Sequence, residues 1–156
     1  MINMLKNINN NFEEKLKKIG LIISIINLIF VIGYFCFFLV SIFSEIMNAE
    51  AGSASGWFIF ILPVFIGIYA FVCIPDILCL IFSILIKKEN KTLFPILNII
   101  SAIIGFLIIN SELYDDFFGG YEQVYYINNI FKTLIVLCNI FLLTQFNKNN
   151  KIANNI

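Results

Sequence analysis

Arginine and histidine are absent from this chain, and charged residues of any kind fill only 13% of its 156 positions. Each absence excludes something. Without histidine there is no His-based nucleophile triad and no His-containing zinc site. Without arginine there is no bidentate clamp for phosphate. The four cysteines, Cys36, Cys73, Cys79 and Cys138, form no C-x-x-C pair and lie in apolar runs, where a thiol behaves as a small buried hydrophobe. Ten lysines balance ten acidic residues, so net charge points neither to nucleic acid nor to an acidic substrate. No cofactor or metal is implied. Lysine without arginine, amid abundant Ile, Asn and Phe, suggests an AT-rich coding bias and hence a low-GC bacterium.

What the chain has instead is apolar sequence. Apolar residues make up 60% of it and the mean hydropathy is +0.94, whereas charged residues alone run near 25% in soluble domains. A soluble fold of this size has too little interior to hide that surface. The expected class is an all-α integral membrane protein, residues 1–156 forming one membrane domain with a four-transmembrane-helix bundle.

The spans are expected at about 19–43, 57–86, 93–109 and 126–146. Ahead of the first, Ile2, Leu5, Ile8, Phe12, Leu16 and Ile19 recur every three or four residues among lysines, as in a short amphipathic helix lying in the membrane interface. The second span is long and contains Pro63 and Pro75, which predicts a tilt or kink, or alternatively a re-entrant hairpin. Thr92 is placed to cap the third, with Pro95 in its first turn, where a missing N–H costs no helical bond. The tail from Asn147 onward reads as loosely ordered.

Lysine placement sets the orientation. Nine of the ten lysines fall in the N-terminal segment, the loop around 87–92 and the C-terminal tail. None falls in 44–56 or 110–125, which carry acidic residues instead. Four spans with both termini cytoplasmic satisfy the positive-inside rule; a hairpin at Pro63 or Pro75 would export Lys87, Lys88 and Lys91.

Two groups of residues are candidates for function. The first is an intramembrane polar layer. Asp76 sits about 15 Å into its span from the cytoplasmic end, and a carboxylate at that depth costs about 2.5–3.5 kcal/mol unless it faces protein or water. Asn27, Asn98, Ser101, Lys132 and Asn139 fall at overlapping depths on their own spans, each on a stripe of polar or small residues. Such stripes turn inward and pack together, because lipid offers them no partners. They serve either as interhelical glue or as a water-accessible cavity in which Asp76 binds a cation or proton and Lys132 is counter-ion. The second group is the 110–125 loop, where Glu112, Asp115 and Asp116 interleave with Tyr114, Phe117, Phe118 and Tyr121 without any basic residue. That pattern suits contact with a cationic peptide or protein.

No family motif covers any part of the chain. The first span lacks the carboxylate of the small multidrug transporters, and the paired cysteines of the four-span quinone-linked disulfide reductases are missing. One carboxylate is not a catalytic constellation, since acid–base chemistry needs a second positioned group. The expected function is therefore that of a small non-enzymatic multi-pass protein of the bacterial plasma membrane. It would act by binding a partner in the bilayer (a membrane protein, a peptide or a second copy) as an accessory subunit or an immunity-type protein. The alternative is a small ion- or proton-coupled transporter or channel subunit using Asp76.

Overall fold

The structure is a computed structural model. It describes residues 2–48, 55–89, 92–110 and 122–154, with side-chain surroundings given for 10–44, 62–89, 92–110 and 126–148. The described residues form four helices: α1 is Ile2–Asn48, α2 Ser55–Lys88, α3 Leu93–Ile109 and α4 Glu122–Asn154. Three stretches, Asn10–Ser44, Leu62–Lys88 and Tyr126–Lys148, are long and apolar enough to cross a membrane, and Leu93–Ile109 is a shorter apolar helix of about 25 Å.

Several boundaries differ from the sequence expectation. The amphipathic N-terminal segment is not a separate helix but the first turns of α1, a single run of 47 residues. No glycine or proline interrupts residues 2–19, so nothing in the covalent chain stops the helix running on into the apolar stretch that follows. Residues 147–154, expected to be loose, continue α4. Helix α2 passes through both Pro63 and Pro75 without a break, which removes the hairpin alternative. Its last turn carries Lys87 and Lys88, where cations complement the negative end of the helix dipole. Thr92 precedes α3 in a helical conformation and makes no side-chain cap. Asn110 ends α3, with its backbone N–H bonded to the Phe106 carbonyl at 3.1 Å.

Each helix packs chiefly against two others. The contacts run α1 with α2, α2 with α3, α3 with α4 and α4 with α1, which puts α1 opposite α3 and α2 opposite α4. The buried positions step along each helix by alternating threes and fours: Leu16, Gly20, Ser24, Asn27, Val31 and Tyr34 on α1, and Asn128, Lys132, Ile135, Asn139, Leu142 and Phe146 on α4. Helix α2 follows with Tyr69, Val72, Asp76, Cys79, Ser83 and Ile86, and α3 with Asn98, Ala102, Gly105 and Ile109. That stepping is the seam of a bundle packed at small crossing angles.

The polarity of the seam is reversed from that of a water-soluble bundle. Asn27 is 0% exposed and Asp76 and Lys132 1%, while Ile29 is 65% and Leu107 63% exposed. Polar residues line the axis and large apolar ones cover the outside, which is the arrangement that an apolar solvent favours. From end to end the interior is layered. Leu16, Ile86 and Leu142 with Phe94 close one end. A serine–asparagine layer and then the charged layer follow, with Cys79, Ala102 and Ile135 packed among them. Beyond them Val31, Tyr34 and Tyr69 with Phe35, Phe38 and Ile68 form an aromatic cluster, in which the Phe35 and Tyr69 rings stack at 4.2 Å.

Candidate functional site: a charged layer on the bundle axis

All four helices meet at one level. Helix α2 supplies Asp76, α4 supplies Lys132, α1 supplies Asn27 and α3 supplies Gly105. Lys132 Nζ donates to Asp76 Oδ1 in a fully buried ion pair. Asn27 Nδ2 donates to the same oxygen at 2.7 Å. Because α2 and α4 stand opposite each other, the Lys132 side chain crosses the axis to reach its carboxylate. A bare α-carbon on α3 makes that crossing possible. A Cβ on Gly105 would lie 2.8 Å from Lys132 Cε and 3.0 Å from both Lys132 Nζ and Pro75 Cβ.

Electrostatically the layer is self-compensating. A buried carboxylate or ammonium alone would cost several kcal/mol, and each is tolerable here because the other is beside it. Hydrogen bonding in the layer is less complete than its charge balance. Asp76 Oδ2 and Asn27 Oδ1 are buried and take no hydrogen bond. Lysine carries three donors and asparagine two, so donors remain on the same side chains.

One turn away along α1, and two along α2 and α3, lies a second, neutral layer. Ser24 and Ser83 share a hydrogen bond at 2.9 Å, Asn98 Nδ2 donates to Ser83 Oγ at 3.0 Å, and Ser24 Oγ also approaches the Gly20 carbonyl at 3.0 Å. This joins α1, α2 and α3 without charge. Replacing Ser83 by alanine removes the oxygen that both Ser24 and Asn98 use and leaves the Asn98 amide buried without it. We expect a loss of about 1–2 kcal/mol in reversible unfolding, more than the ~0.6 typical of one interhelical bond. A loss below a few tenths of a kcal/mol would show that this layer contributes nothing.

The predicted polar layer thus resolves into parts. Asp76, Lys132 and Asn27 come together. Asn98 does not join them but serves the serine layer. Asn139 turns its amide back to the Ile135 carbonyl of its own helix at 2.7 Å. Ser101 is buried and lines, with Pro75, an apolar crevice of about 220 Å³ between α2 and α3. Glu112, Tyr114, Asp115, Asp116, Phe117, Phe118 and Tyr121 lie outside the described residues. The Ser24–Ser83 bond was not anticipated, although both serines fall on the polar stripes of their helices and at similar depth. Gly105 falls with Asn98 and Ser101 on the α3 stripe, at steps of three and four, but nothing in the sequence marks it as the seat of Lys132.

No group of three or more metal-ligating side chains occurs among the described residues. Comparison with protein-family models, with curated proteins and with solved structures finds no match to this chain. Its site is therefore read from geometry alone.

Proposed function

We propose that this chain is a small, non-enzymatic, four-span protein of a bacterial plasma membrane, with both termini cytoplasmic, that works by binding a partner. The observation that carries this reading is the occupation of Asp76. Its carboxylate is engaged by Lys132 from across the bundle and by Asn27 from the side. An ammonium held there does the work of a bound cation and leaves the charge committed to holding helices together. The binding role then falls to the surfaces at the two ends, foremost the acidic and aromatic 110–125 loop, whose chemistry suits a cationic peptide or protein. An accessory subunit or an immunity-type protein fits that description.

The test is a cross-linking pull-down from cells, comparing the native chain with an Asp115→Asn/Asp116→Asn variant at equal membrane abundance. At least one partner should be lost in the variant; an unchanged partner set would refute the role of the loop. The same cells report orientation. An impermeant thiol reagent should label a Ser111→Cys chain from outside and an Asn149→Cys chain only after permeabilisation, with the native cysteines replaced.

A second reading has its own observation, the two unpaired acceptors Asp76 Oδ2 and Asn27 Oδ1. Spare acceptors beside a titratable pair are what a proton- or cation-coupled carrier requires. In liposomes, that reading expects flux that Asp76→Asn abolishes. Equal, background-level flux in both proteins ends it.

A further inference from the structure

One end of the bundle carries a collar of lysines, and its level is fixed by packing. Leu16 of α1, Ile86 of α2 and Leu142 of α4 touch in one cluster with Phe94 of α3. Lys17 Nζ lies 5.4 Å from the centre of the Phe146 ring. Around that cluster Lys15 and Lys18 of α1, Lys87 and Lys88 of α2 and Lys148 of α4 are all exposed, and Glu14 and Glu89 are the exposed acids among them. Lys17 is different: it is buried and paired with Glu13 at 2.7 Å.

The surface next to the collar is apolar on the same helices. One turn on from Lys15 and Lys18 stand Ile19 and Ile22, one turn back from Lys88 stands Ile84, and two turns back from Lys148 stands Phe141, all exposed. Leu93 and Ile96 continue that belt on α3. A ligand that meets both surfaces must be anionic at its head and apolar in its body. The α3 N-terminus lies at this end too, its first-turn amides uncapped by Thr92, and adds partial positive charge.

We propose that this collar binds the headgroups of anionic glycerophospholipids, with the acyl chains lying on the apolar belt, and that Lys15, Lys18, Lys87, Lys88 and Lys148 carry the selectivity while Lys17 does not. Lysine suits the task because a flexible stem carrying a compact charge can follow a fluid headgroup layer, whereas a fixed phosphate pocket favours arginine. The proposal rests on the membrane reading above but not on the partner-binding one.

Native mass spectrometry of the purified full chain, released from micelles holding equal amounts of phosphatidylglycerol and phosphatidylethanolamine, tests it. Several lysines near a charged surface should give roughly tenfold preferential retention of the anionic lipid. The combined variant with all five collar lysines changed to glutamine should lose most of that preference, Lys87→Gln/Lys88→Gln should lie between, and Lys17→Gln should keep it. Millimolar inorganic phosphate should not displace the lipid. Helix content by circular dichroism, unchanged in the five-lysine variant, separates lost binding from lost fold. Equal retention of both lipids by the native chain, an undiminished preference in the five-lysine variant, or displacement by free phosphate overturns the proposal. Failure to retain any lipid would instead count against the membrane reading itself.

Discussion

Replacing Lys132 with methionine should cost the bundle about 3–5 kcal/mol, and adding Asp76→Asn to the same chain should return most of that loss. The first change leaves a carboxylate fully buried on the axis with a single neutral donor, Asn27, to stabilise it. The loss is therefore dominated by an uncompensated charge rather than by the missing bond. In the double variant the charge is gone, the asparagine amide can still meet Asn27, and methionine fills much of the volume of the lysine stem. The coupling between the two substitutions should far exceed the few tenths of a kcal/mol expected of independent sites. Reversible unfolding in mixed micelles, followed by circular dichroism, supplies the four stabilities of the cycle. Additive effects would mean that the pair is not coupled, and the reading of Asp76 as the clasp of the bundle would fall with it.

The direction of that cycle also separates the two functional readings. If Asp76 and Lys132 serve only to tie α2 to α4 across the axis, a neutral, well-packed pair can replace them with binding intact. If Asp76 carries an ion or proton, the double variant is stable and inactive. Stability and function then part company.

How far the charged layer was legible depends on what kind of information each residue needed. Depth along a span follows from counting residues at 1.5 Å each, and that placed Asn27, Asp76 and Lys132 at overlapping levels. Helical stepping put each of them on the polar face of its span. Depth and face together allowed Asp76 and Lys132 to meet but did not decide that they pair. Depth and face were not enough for Asn98, Ser101 and Asn139, whose surroundings depend on rotation about the helix axis and on competition from the backbone. Asn139 found its acceptor four residues back along its own helix, an option open to every asparagine in a span. Helix ends were the least legible part. Thr92 has the right residue type for a cap but a helical backbone, and Asn147–Asn154 has the polarity of a loose tail but no residue that stops a helix. Pro75 has the chemistry of a helix breaker, yet α2 continues through it.

Gly105→Ala is the substitution in which two effects of similar size oppose each other, and the structure says which wins. Alanine is favoured over glycine within a helix by roughly 0.5–1 kcal/mol, so on α3 in isolation the change would stabilise. In the bundle the new methyl would stand 2.8 Å from Lys132 Cε and 3.0 Å from Pro75 Cβ. Neither neighbour can yield easily. The lysine end is held by Asp76, and the proline ring is fixed to the backbone of α2. Overpacking of this kind costs about 1–3 kcal/mol, which exceeds the propensity gain, so a net loss of about 1–2 kcal/mol is expected. The decisive measurement repeats the change in a Lys132→Ala background. There the long side chain that the methyl would strike is absent and only the Pro75 contact remains. Gly105→Ala should then become neutral or mildly stabilising. An equal loss in both backgrounds would place the strain on Pro75 alone and remove Gly105 as the seat of the lysine, whereas a change of sign would show that α3 is held at its distance by the charge that crosses beneath it.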